Sequence, residues 1–126
     1  MARILCIEDD VAMVHLVELI VSKMGHEVKG AESGRAGLAL VDTFRPDMIL
    51  LDLMMPDIDG WDVYQHLKAD INTRNIPVII VSARAHQTDK LIALRLAQVD
   101  DYITKPFTPE KLRDSIKNVL AERSLL

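Results

Sequence analysis

The chain has 126 residues, enough for one domain around a single hydrophobic core. Its 49% hydrophobic and 27% charged content is ordinary for a soluble globular protein, and a net charge of −4 argues against direct nucleic-acid binding, which needs phosphate-neutralising basic surface. No apolar run approaches the ~18 residues of a membrane span, no room precedes the first apolar run for a signal peptide, and the single Cys6 excludes a disulfide framework, so a cytoplasmic protein is expected.

In chain order, residues 3–8 form an apolar run that reads as a first strand. From Val11 to Met24 apolar residues recur at helical spacing (Met13, Leu16, Val17, Ile20, Met24), and Gly25 ends the helix. Glu27 to Ala31 is a short second strand. Ser33 and Gly34 can cap a helix to about Phe44, which stops before Pro46. Asp47 to Asp52 is a third strand, apolar enough to be buried on both faces. Pro56 to Gly60 is a turn, with Asp57 a turn residue and Asp59 an N-cap for a helix through about Ala69. Ile76 to Val81 is the fourth strand, residues 87–97 are helical, Asp101 to Thr104 is the fifth strand, and Pro109 opens a last helix to about Glu122. Five β-α repeats with short loops predict an α/β fold, a doubly wound five-stranded parallel sheet, in one domain over residues 1–126.

Three strands end on charge. Glu8, Asp9 and Asp10 follow the first, Asp52 the third, and Lys105 the fifth. Ligands of open parallel sheets bind at the carboxyl edge of the strands, where these residues emerge. Carboxylates crowded there either take up protons or demand a cation, so the pattern suits a divalent metal and a phosphoryl group. Asp10, last in its cluster, is expected to point toward the first helix. The histidines at 15, 26, 66 and 86 show no metal-ligand spacing, and Cys6 reads as a buried core thiol.

The segments ILCIEDD, ILLDLMMPDIDG, PVIIVSA and DDYITKPF, in this order, resemble the receiver domain of two-component response regulators, the CheY-like superfamily. The resemblance runs from Ile4 to about Leu120. It rests on an acidic pair, an aspartate 43 residues after its second member, a hydroxyl residue 30 further on, and a Lys-Pro. It implies the flavodoxin-like strand order 2-1-3-4-5.

The resemblance also implies roles. Asp52 is the phosphoacceptor, and Glu8 and Asp9, with Asp52 and the backbone carbonyl of Met54, hold Mg2+, for which Mn2+ can substitute. Ser82, in place of the usual threonine, bonds a phosphoryl oxygen, and Lys105 pairs with the phosphoryl group through a cis bond to Pro106. Tyr102 is the aromatic switch that turns inward on activation, and Met54 and Arg84 govern the access of water to the aspartyl phosphate. The protein is then a signalling switch rather than a turnover enzyme. Its partners are a sensor histidine kinase or histidine phosphotransfer protein upstream and a downstream protein or fused effector.

Three rival functions meet obstacles in the same residues. A haloacid-dehalogenase-type phosphatase needs a second aspartate two residues after its nucleophile, where this chain has Met54. A flavodoxin-type FMN carrier needs a phosphate loop after strand 1, where three acids would repel a phosphate. A degenerate receiver acting as a constitutive interaction module is disfavoured by the intact set of key residues.

Two departures from the family pattern fall together. Ser82 to Lys105 spans 23 residues, one more than is usual, and Leu96 to Asp101 lacks the glycine that ends the fourth helix, so Gln98 or a neighbour must take its place. An irregular helix end is expected, with Leu96 or Val99 tucked inward. The resemblance allows a phosphorylation-dependent homodimer: Lys90, Asp100 and Asp101 fit the charged pattern of such an interface, whereas Lys111 and Ser115 do not and would need Glu110 and Arg113 to serve instead.

Overall fold

The computed structural model describes residues 1–84 and 86–123. Five strands pair in parallel in the order β2-β1-β3-β4-β5: β1 (Arg3–Ile7), β2 (Glu27–Ala31), β3 (Met48–Leu51), β4 (Val78–Ser82) and β5 (Asp101–Thr104). The helices are α1 (Val11–Lys23), α2 (Gly34–Phe44), α3 (Gly60–Ala69), α4 (Gln87–Leu91) and α5 (Pro109–Glu122). The strand order and element order are those expected, with ends moved by a residue or two. No described helix is long and apolar enough to cross a membrane.

Alternation along the strands divides the core into two layers. Ile4, Cys6, Leu50, Ile79, Val81 and Ile103 face α1 and α5, which bury Val17, Val21, Leu112, Ile116 and Leu120 against them. Leu5, Ile7, Ile49, Leu51, Ile80 and Tyr102 face the other side, where Val41, Phe44, Val63, Tyr64 and Leu67 cover them. Every residue of β3 and β4 is buried, the signature of central parallel strands.

Capping side chains set the helix starts. Asp10 accepts from Ala12 N and Met13 N, Ser33 from Ala36 N, Asp59 from Trp61 N, and Thr108 from Lys111 N ahead of Pro109. Asp10 thus turns toward α1, as expected. Asp57 does more than occupy a turn: its two oxygens accept from Gly34 N (3.1 Å) and Arg35 N (2.9 Å), capping α2 from the β3–α3 loop. The bond from Arg35, with that from Gly34, holds the Asp57 carboxyl below its ordinary value.

The extra residue between Ser82 and Lys105 is absorbed inside the fourth helix. After Leu91 the chain widens into a π-helical segment, Ile92–Leu96, in which Ala97 N donates to Ile92 O, five residues back. Gln98 then takes the left-handed conformation (φ 59°) that a glycine would supply. Val99 tucks inward at 5% exposure, while Leu96 stays 79% exposed. The irregularity therefore begins a turn earlier than the sequence suggested.

Candidate functional site

Because the strands are parallel, their carboxyl ends meet at one edge, and the charged residues that follow them converge there. Glu8, Asp9 and Asp52 each offer a carboxylate oxygen within 4.8 Å of the others. Lys105 reaches in from β5: Nζ bonds Glu8 Oε1 and lies 3.5 Å from Asp52 Oδ2. Backbone donors fix the acids, Asp10 N to Glu8 Oε2 (3.2 Å) and Met54 N to Asp52 Oδ1 (3.2 Å). The Lys105–Pro106 peptide is cis, and Lys105 N donates to Ser82 O (2.8 Å), joining the ends of β4 and β5.

The turn beneath Asp52 needs a glycine that the sequence showed only as part of a turn. A Cβ on Gly60 would stand 2.4 Å from the Asp52 carbonyl oxygen and 2.5 Å from Leu53 Cα. The close approach of α3 lets Gly60 N bond Leu53 O at 3.0 Å and clamps the loop that carries Asp52 and Met54.

Three carboxylates face one ammonium. Cys6, Met13, Val17, Leu50 and Val81 back Glu8 and Asp52 with apolar surface. Burial, then the neighbouring Asp52, push the Glu8 carboxyl up to about 7, against the downward pull of Lys105. Burial would lower Lys105, but its hydrogen bond to Glu8 and the charge of Asp52 outweigh that and hold it above its ordinary value. Burial first and Glu8 second raise the Cys6 thiol to about 12, so it stays protonated and inert. The excess negative charge and the all-oxygen donor set fit a hard divalent cation such as Mg2+. In front of the acids, an open cleft of about 500 Å3 is lined by Asp9, Arg84 and the loop from Leu53 to Asp59, with the Met54 side chain half exposed.

Ser82 is fully buried at the end of β4, and its Oγ accepts from Arg84 N (3.3 Å). Tyr102 lies under α4 at 5% exposure, its hydroxyl donating to Arg84 O (2.8 Å). Burial raises the Tyr102 phenol, and the nearby Ser82 hydroxyl opposes this. The resemblance implies an inward turn of this ring on activation; in this structure the ring already lies inward.

The family model for the response regulator receiver domain matches residues 4–117. The chain belongs to this family. Protein PilH of Pseudomonas aeruginosa is 39% identical over 121 residues, covering 96% of this receiver and 99% of PilH. The DNA-binding dual master transcriptional regulator RpaA of Synechocystis is 39% identical over 120 residues, but this receiver spans only 49% of it. Several other curated relatives are transcriptional regulators about twice as long as this receiver. Among solved structures, a CheY-like receiver domain protein from Methanospirillum hungatei superposes with a TM-score of 0.88 at 28% identity, covering 98% of this chain and 97% of that one. The chemotaxis protein CheY4 of Vibrio cholerae superposes with a TM-score of 0.87 at 25% identity, covering 95% and 99%.

Asp100 and Asp101, which fit the charged pattern of a dimer interface, also bond within the receiver itself. Asp101 Oδ2 accepts from Ser115 Oγ (2.5 Å), Asp100 Oδ1 caps Val78 N (2.9 Å), and Asp100 Oδ2 pairs with Arg123 (2.9 Å).

Proposed function

We propose that residues 1–126 act as one cytoplasmic receiver unit, a phosphorylation-dependent switch that takes a phosphoryl group from a phosphohistidine onto Asp52. The donor is a sensor histidine kinase or a histidine phosphotransfer protein. The observation that carries this reading is the Asp52 carboxylate itself, buried at the strand edge, held by Met54 N, and flanked by Lys105 at 3.5 Å and by Glu8 and Asp9.

The chemistry follows from that setting. An Asp52 oxygen attacks phosphorus while the P–N bond to the donor imidazole breaks; the imidazole leaves with the bonding pair and is reprotonated. Lys105 and the Ser82 hydroxyl meet the charge that spreads over the phosphoryl oxygens. Glu8, Asp9, Asp52 and the Met54 carbonyl would hold Mg2+, which supplies neutralising charge when bound. Later hydrolysis returns Asp52 and inorganic phosphate, with Met54 and Arg84 at the mouth limiting the water's approach. The altered face, α4 to α5 across β5, then engages a downstream protein or a fused effector. Met54 offers no general acid, which counts against a haloacid-dehalogenase-type phosphatase.

Acetyl phosphate with Mg2+, read by intact mass, tests this. One phosphate, stable to acid and removed by hydroxylamine, is expected on the wild type and none on Asp52→Asn. Undiminished labelling of Asp52→Asn would mean the nucleophile lies elsewhere.

A further inference from the structure

The stretch from Met54 to Ile58 carries one of the oxygens assigned to Mg2+, the Met54 carbonyl, yet little holds it. Among the described residues it makes no backbone–backbone hydrogen bond, and Pro56 has no N–H to give. Met54 N bonds within the same loop, to Asp52 Oδ1, and the loop is closed at its base by Gly60 N on Leu53 O. The only hydrogen bonds that tie this stretch to another element, among the described residues, are those Asp57 accepts from Gly34 N and Arg35 N at the start of α2. Packing reinforces them. A Cβ on Gly34 would stand 2.5 Å from Ile58 Cγ1, so α2 begins directly against the loop.

The chain just before α2 also reaches the other acids, because Ala31 O accepts from Glu8 N (2.9 Å). Residues 31–35 therefore brace both the strand end that carries Glu8 and the loop that carries Met54. Mg2+ demands a near-ideal octahedron, so a carbonyl that wanders is a poor ligand. A loop with so few ties opens at low cost, and a molecule whose loop has opened lacks one ligand. We propose that Asp57 is a positioning residue for the metal site: its carboxylate pins the β3–α3 loop to the start of α2 and so holds the Met54 carbonyl in place relative to Glu8 and Asp9. This rests on the metal ligands proposed above.

The test titrates Mn2+ into the whole, metal-free chain, reads the free ion by its paramagnetic resonance, and obtains Mg2+ affinity by competition. Asp57→Ala should weaken both ions about three- to tenfold, because apparent affinity falls with the fraction of molecules whose site is assembled. Ser33→Ala is the control for helix stability. It removes the neighbouring cap, in which Ser33 Oγ accepts from Ala36 N (3.1 Å), without touching the loop, and should stay within about twofold of wild type. Asp59→Asn is the control for charge. It removes an acid from the lining of the same cleft but keeps a capping oxygen for Trp61 N, and should also stay within about twofold. Wild-type affinity in Asp57→Ala would overturn the proposal. An equal loss in Ser33→Ala would overturn it too, by making the effect one of helix stability, as would an equal loss in Asp59→Asn, by making it one of charge. A wild-type protein that leaves all the Mn2+ free would instead sink the metal assignment of Glu8, Asp9, Asp52 and Met54.

Discussion

Two regions on opposite sides of the sheet, the α1–α5 pair and the α4 segment, are held very differently. On one side, α1 and α5 drive long apolar side chains into the sheet, and Leu112, Ile116 and Leu120 are fully buried. On the other, α4 and its π continuation bury only Ala93, leaving Leu91, Ile92, Leu94 and Leu96 exposed. What fixes this segment is mostly polar and sits at its ends: Tyr64 donates to Ala97 O (2.7 Å), and Tyr102 to Arg84 O. Few buried apolar contacts mean a low local opening energy. The layer behind the acids is thus a rigid backing, and the segment over Ser82 and Tyr102 is the part that rearranges at the lowest cost.

The contrast is sharpest in the core. Leu112→Ala should destabilise by about 2–5 kcal/mol, whereas Leu96→Ala should change stability by less than about 0.5 kcal/mol, both read from urea unfolding. Comparable losses would erase the distinction between the two regions.

A second difference concerns charge rather than packing. With its pKa raised from 4.5 to about 7, Glu8 holds its proton longer in the folded state than in the unfolded chain. Its contribution to stability is therefore complete below about 4.5 and falls as pH rises toward 7. In EDTA, the wild type should lose stability relative to Glu8→Gln across that window, and Mg2+ should restore it above the window. A flat difference would mean that Lys105 keeps Glu8 ionised throughout.

The smallest effect belongs to the helix end. Gln98→Gly should stabilise by up to about 1 kcal/mol, because glycine takes the left-handed conformation at no steric cost. Destabilisation would show that the Gln98 side chain contributes more than its backbone costs.

Most of this architecture was legible in the sequence, because periodicity and strand-end charge are local signals. The apolar runs ending at Glu8, Asp52 and Lys105 mark the sheet edge without any tertiary information. What escaped depends on contacts between distant segments. Asp57 reads as a turn residue until its loop is seen to reach α2. Gly60 reads as punctuation until α3 is seen pressing on the Asp52 carbonyl. The count from Ser82 to Lys105 revealed an extra residue, but only hydrogen-bond geometry shows it stored as a π turn rather than as a looser helix end. The inward Tyr102 was equally invisible, since a side chain's resting position follows from packing that spacing does not encode.

Amide hydrogen exchange from Leu91 to Val99 tests the central claim most directly, with beryllofluoride and Mg2+ standing in for the phosphoryl group. Exchange should be fast at rest, well ahead of β3 and β4, and should slow markedly in the complex while α1 stays unchanged. Protection equal to that of the core strands in both states would contradict the account.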